Sequence, residues 1–232
     1  MVFFWNDFLN ESNQLLDTYK GRDKVLRTLC YLTKLLGDVQ KNPDSAKKFA
    51  IFSSQMSATR STLRLLDDLA VIKHTFQYGL GRDEPDKLMA CLGVTTNILD
   101  QTFLVLEKIS WLSKYQILTG FNRERWDNAS ACCWVLGTYL TIIKTLRYLV
   151  ILETHKGCVA KDKRVPMEKF KVIKKFQLLT LARLLADFTH AVSTLPPGFL
   201  WSSRLKPWQV GVVGTFSSAL GIYLIIYKRW LK

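Results

Sequence analysis

PWQVGVVGTFSSALGIYLIIY, Pro207–Tyr227, runs for 21 residues without a charged side chain. As a helix rising 1.5 Å per residue it would be about 31 Å long, the thickness of a bilayer's hydrocarbon core. Arg204 and Lys206 precede it; Lys228, Arg229 and Lys232 follow. Trp208 and Trp230 stand near its two ends, where indole rings favour the headgroup layer, so Trp208, Trp230, Lys228 and Arg229 are expected to act as interfacial anchors. Gly211, Gly214, Ser217, Ser218 and Gly221 are small, and small residues let transmembrane helices approach closely. The Gly211, Gly214 and Ser218 face is the expected packing seam for self-association. A core helix of a soluble protein needs neither this length nor basic-aromatic flanks. The segment reads as a membrane span, with the rest of the chain built around a bilayer.

Working outward, the 232 residues are 48% apolar with a net charge of +14. The charge is uneven: residues 1–125 carry 17 Lys/Arg against 14 Asp/Glu, and residues 126–232 carry 16 against 5. The excess lies in the half that holds the apolar runs, which favours anionic lipid headgroups at roughly 1 kcal/mol per basic residue near the surface. Nucleic acid is the other partner of a basic chain, but no helix combines a basic face with base-reading polar residues, so none is expected. Mean hydropathy of +0.05 is high for a soluble chain and low for a multi-span transporter. Cys30, Cys91, Cys132, Cys133 and Cys158 form no C-x-x-C pair and no zinc spacing, which fits free, mostly buried thiols in a reducing compartment. The start, MVFFWNDFLNE, lacks the basic region and long apolar run of a secretory signal, so insertion is expected without a cleaved one.

Turn signals at Gly37–Ser45, Gly79–Asp86, Thr119–Asn128, Gly157–Pro166 and Ser193–Pro207 cut the chain into pieces with helical rather than strand periodicity. The class is therefore all-α: a membrane-associated helical bundle with amphipathic helices and one to two transmembrane helices. A first helix is expected over Asn6–Leu36, with Gly21 marking a break. A second, Ser54–Tyr78, has the sharpest face. At 100° per residue Ala58, Leu65, Leu69, Ile72 and Phe76 share one side, with Leu66 beside them. This is the expected membrane-insertion face; packing of the same face into a bundle is the competing reading. A third helix, Asp86–Leu118, has two apolar stripes and needs partners on two sides. Ala129–Ile143 is uncharged but too short to span comfortably. Extending it to Leu152 brings in Lys144 and Arg147, each costing about 2.5–3.5 kcal/mol at mid-bilayer. It reads either as a span or as a re-entrant, bundle-facing helix. Met167–Val192 is amphipathic, with Lys169, Lys171, Lys174 and Lys175 in its first half, and suits a membrane surface or a receptor.

His74, His155 and His190 lie in separate segments without a second ligand at helical spacing, and neither a G-x-S-x-G nor a P-loop pattern occurs. Asp67 and Asp68 are neighbours pointing about 100° apart on a helix, so they suit a solvated face better than paired acid-base work. No catalytic residue, cofactor or metal is expected.

The residues resemble the peroxisomal membrane protein 11 family in its gamma-type form. The likeness is carried by YKGRDKVLR (Tyr19–Arg27), SSQMSATRSTLRLLDDLAVIKHTFQYGLG (Ser53–Gly81), NILDQTFLVLEKISWLSK (Asn97–Lys114), Arg125-Trp126 and LPPGFLWSSRLKPWQVGVVGTFSSALGIY (Leu195–Tyr223). Ala129–Val192 resembles the family mainly in pattern. The resemblance implies a non-enzymatic peroxisomal membrane protein that promotes elongation, proliferation and fission. It also implies association with itself and sister members, with a tail-anchored fission adaptor and a dynamin-type GTPase, and with the import receptor for peroxisomal membrane proteins. Family members are drawn with two crossings and both termini in the cytosol. The expected organisation is then 1–125 as a cytosolic N-terminal amphipathic region, 126–152 as a first membrane-embedded helix, 153–206 as a basic amphipathic helix and linker, 207–227 as the transmembrane helix and 228–232 as a short basic tail. Two other functions fit the residues: a pore or transport protein for small metabolites, which with two spans would need oligomers, and a recruitment adaptor that does no bending.

Overall fold

A computed structural model describes residues 2–161 and 167–230; the side chains at 2–4, 6–8, 156–161, 167 and 230 lie outside that description. The described residues form helices α1 Val2–Asp17, α2 Tyr19–Val39, α3 Pro43–Arg64, α4 Asp68–Tyr78, α5 Lys87–Lys114, α6 Arg123–Lys161, α7 Met167–Ser193 and α8 Pro207–Trp230, with no strand among them. Contacts gather them into two units, residues 1–60 with 205–232, and residues 61–204.

In the first unit the expected single helix over Asn6–Leu36 is two. Thr18 ends α1 and caps α2, its hydroxyl accepting from the Gly21 amide at 3.1 Å. The break sits three residues before Gly21, whose missing side chain matters for another reason: a Cβ there would run into the Leu15 carbonyl of α1. α2 and α3 then run antiparallel, tied by Asp23–Arg60 at 2.8 Å and by Ser53 Oγ donating to the Cys30 carbonyl at 2.8 Å. α8 is antiparallel to α2 as well. Asp38 Oδ2 accepts from the Trp208 amide at 2.9 Å, Leu35 lies against Gly211, and Tyr31 lies against Gly214. Asp38 thereby satisfies one of the orphan amides at the start of α8 and places negative charge at its positive end.

The second unit runs up and down through α4, α5, α6 and α7. Thr75 with Gln101 sets α4 against α5, at 3.4 Å. Arg147–Asp86, at 2.7 Å, and Ser110–Asp127 mark opposite ends of the α5–α6 hairpin. Trp134–His190 and Tyr139–Phe188, with ring centroids 5.6 and 6.1 Å apart, align α6 with α7. Their apolar centre is Val135, Ala191, Val192 and Leu195, with Trp134, Phe188 and Trp201 around it. Trp201 Nε1 donates to the Thr189 carbonyl at 3.0 Å, which folds the 194–204 connection back onto α7. α5 has the two partners its two stripes require.

Candidate membrane-contacting site

Among the described residues three helices are long and apolar enough to cross a bilayer: Lys87–Lys114, Arg123–His155 and Pro207–Arg229. α5 thus joins the two segments that the sequence singles out. Large apolar side chains face out of the fold all along these helices. Examples are Leu88, Ile98 and Val105 on α5, Leu136, Leu146 and Val150 on α6, and Val212 and Phe216 on α8. Water would leave such faces unburied, whereas acyl chains match them. The cysteines follow the same rule. Cys30 is buried, but Cys91 and Cys132 are exposed and Cys133 is half-buried, so the expectation of mostly buried thiols fails on α5 and α6.

Lys144 and Arg147, the charges that made α6 ambiguous, are both partnered. Glu84 meets Lys144 at 2.7 Å and Asp86 meets Arg147 at 2.7 Å. Lys144 Nζ also donates to Tyr78 Oη at 3.2 Å and lies 4.7 Å from the centre of its ring. A Cβ at Gly93 would fall within the Tyr78 phenol, so glycine leaves room for that ring beside α5. Burial raises the Tyr78 pKa above its ordinary value, against the lowering hydrogen bond from Lys144. Asp86 is held below its ordinary value, first by the Met89 amide that it caps at 2.7 Å and then by Arg147. At the other end of the hairpin Asp127 takes the Ser110 hydroxyl and pairs with Arg123 at 3.3 Å. From Asp127 to Arg147 the rise along α6 is about 30 Å, a bilayer's hydrocarbon thickness. Sequence reading missed these partners because they come from the 79–86 turn, some sixty residues away; the only hint was three acids, Asp83, Glu84 and Asp86, in a turn before an apolar helix.

The expected insertion helix over Ser54–Tyr78 is not continuous. α3 ends at Arg64, Leu65 and Leu66 form a turn, and α4 starts at Asp68. Aspartates favour helix starts, and Asp68 lies in the first turn of α4, where the helix dipole favours it. The ion pairs explain the rest. Arg64 binds Glu107 and Asp68 binds Lys108. In an unbroken helix Arg64 and Asp68 would sit one above the other, whereas neighbouring residues on α5 diverge by about 100°. A turn at 65–67 lets both pairs form. Ala58 therefore stands on α3, Leu65 and Leu66 in the turn, and Leu69, Ile72 and Phe76 on α4. Leu66, Leu69 and Phe76 are 81%, 79% and 80% exposed, Ile72 is exposed and Leu65 half-buried. Among the described residues nothing covers the Leu69–Phe76 side of α4.

The small-residue face of α8 is occupied by its own chain. Gly211 meets Leu35, where an added Cβ would lie 2.8 Å from the Leu35 Cβ, and Gly214 meets the ring of Tyr31. Ser217 and Ser218 are buried. Within the chain this packing face meets α2, whose Leu35 and Tyr31 lie against its glycines. Among the expected anchors, Trp208 and Lys228 are exposed, and Arg229 reaches back to the Gln14 carbonyl at 2.6 Å. The Trp230 side chain lies outside the described residues.

Among the described residues, three helices of span length with outward apolar faces, one of which has its cations Lys144 and Arg147 paired with the 79–86 turn, define an integral multi-pass membrane protein. The chain belongs to the family described as Peroxisomal biogenesis factor 11 (PEX11), whose family model matches residues 9–226. It is 34% identical to "Peroxisomal membrane protein 11C" of Homo sapiens over 218 residues, covering 90% of each chain. Against "Peroxisomal membrane protein 11C" of Mus musculus it is 33% identical, covering 91% of this chain and 92% of that one. Identity to "Peroxisomal membrane protein 11A" of Rattus norvegicus is 23% over 96% of each. No solved structure matches. With these relatives and three span-length helices, the chain is a multi-pass protein of the peroxisomal membrane, in a family of biogenesis factors rather than enzymes.

Proposed function

We propose that this protein acts without enzymatic chemistry to elongate the peroxisomal membrane and promote peroxisome proliferation and fission. The exposed apolar side of α4 is the observation that carries the reading. Leu66, Leu69 and Phe76 have about four fifths of their surface uncovered. α4 is held to α5 through Asp68–Lys108 and through Tyr78, whose phenol lies beside Gly93. An apolar helix face inserted about 5–10 Å into one leaflet adds area to that leaflet and favours curvature. The insertion residues are then Leu66, Leu69, Ile72 and Phe76, with Leu65 half-buried beside them. Self-association, pairing with sister members and capture of a tail-anchored adaptor and a dynamin-type GTPase complete the proposal, and family membership supports them.

The test uses the full chain, expressed in cells lacking their own copy and reconstituted into anionic liposomes. Leu69→Glu with Phe76→Glu is expected to reach the peroxisomal membrane normally but to lose both peroxisome elongation and liposome tubulation. Wild-type tubulation by that variant would refute the wedge. Loss of elongation in cells with intact tubulation would point to an adaptor that does no bending.

A further inference from the structure

We infer that the connections 115–122 and 194–204 form a membrane-insertion edge, where Ile117, Phe121, Phe199 and Leu200 dip into the headgroup–acyl boundary of one leaflet. These four side chains are 63%, 47%, 57% and 65% exposed. Both connections lie at the same end of α6. Ser110, near the end of α5, bonds to Asp127, and Ala131 packs against Ala191, Val192 and Leu195, where α7 ends. Asp127 bounds the stretch of α6 that rises about 30 Å to Arg147, so the connections begin where hydrocarbon gives way to headgroups.

Hydrogen bonds fix the shape of each tip. After α5 the Gln116 amide donates to the Ser113 carbonyl at 3.2 Å and the Ile117 amide to the Leu112 carbonyl at 3.0 Å, with Gln116 at φ 57°. In this Schellman arrangement the residue at the Ile117 position commonly folds back onto its helix, yet Ile117 stays exposed. In the other connection the buried Ser202 hydroxyl reaches the Leu195 carbonyl and, at 2.8 Å, the Pro196 carbonyl, while its amide donates to the Phe199 carbonyl at 2.8 Å. That turn folds Ser202 inward and leaves Phe199 and Leu200 outside, with Leu200 at φ 45°, a left-handed conformation costly for leucine. Water would cover none of this apolar surface, whereas the acyl boundary would. Lipid is the occupant that the position favours, because the tips extend the outward apolar faces of α5 and α6 by one step toward the headgroups. Lys114, Arg123, Arg125 and Arg204 flank the tips, against Glu124 and Asp127, and this net positive charge suits phosphates. The edge does not depend on insertion of α4.

To test the edge, Phe121 or Phe199 would be replaced, one at a time, by p-benzoylphenylalanine in the full chain, reconstituted into liposomes of phosphatidylcholine and phosphatidylserine. On irradiation the benzophenone bonds to a neighbouring C–H group, and intact-mass spectrometry reads the product. Each site is expected to gain the mass of one phospholipid, at about five times the yield of the same probe at Asp83, which is exposed in the 79–86 turn. Adding Ile117→Ser and Leu200→Gly to the Phe199 probe should cut that yield about threefold. Both positions are exposed and the glycine relieves the left-handed strain, so the fold is expected to survive, with circular dichroism as the check. Chains cross-linked to one another instead of to lipid would overturn the proposal, because the tips would then meet a second copy. So would a probe that gains no phospholipid, a yield no higher than at Asp83, or an undiminished yield in the folded Ser/Gly variant.

Discussion

Gly214 offers the sharpest check on how the C-terminal span is packed. A side chain added there would start inside the ring of Tyr31, close to its Cγ, Cδ1 and Cδ2 atoms. Those atoms are the root of the ring, which cannot swing aside without moving α2. Arg27 is buried with its guanidinium 5.5 Å from the same ring, which closes the other exit. Gly214→Leu must therefore push α2 and α8 apart or force strained rotamers, which costs about 1–3 kcal/mol. For a chain of this size each kcal/mol lowers Tm by about 2–4 °C, so the expected drop is about 2–12 °C. The assay is thermal unfolding in detergent followed by tryptophan fluorescence, with size-exclusion light scattering alongside. Tyr31→Ala with Gly214→Leu should recover about 0.5–3 kcal/mol relative to the sum of the single changes. An unchanged Tm combined with loss of oligomers would refute the reasoning. It would mean that the glycine face meets another copy rather than α2.

Three further outcomes follow from the second unit. Glu84→Leu strands Lys144 and should destabilise the chain by about 1.5–3 kcal/mol by thermal unfolding, with the exchange Glu84→Lys and Lys144→Glu recovering most of the loss. Because the folded pKa of Asp86 lies below its unfolded value, its contribution is present above about pH 4 and is lost as pH falls through the folded value. Wild type should therefore lose stability at the acid end of that window more steeply than Asp86→Asn, as read from Tm against pH. Trp201→Phe keeps the ring against Phe188 but removes the donor to Thr189, and should cost about 1 kcal/mol in the same unfolding assay.

Much of the helical layout is legible from residue order alone. The start of α5 at Lys87 is announced by Asp86, whose side chain caps it, and α8 begins at Pro207, a residue that suits a first helical turn. Helix breaks inside amphipathic stretches were harder to see. Leu65 and Leu66 continue the apolar periodicity of Ser54–Tyr78, and nothing local shows that Glu107 and Lys108 will draw Arg64 and Asp68 apart. The Gly21 signal was real but displaced: the kink sits at Thr18, and Gly21 serves the close approach of α1.

Residue order by itself determined the all-α class, the Pro207–Tyr227 span and the basic character of α7, because hydrophobic length, helical period and charge are local properties of a chain. Tertiary structure decided what each face meets. It put α2 on the glycines of α8, turned the 79–86 acids onto Lys144 and Arg147, and left the Leu69–Phe76 side of α4 uncovered among the described residues. Those outcomes depend on pairings between residues about 60 to 180 positions apart, and no local pattern encodes which of several apolar stripes will fill a given groove.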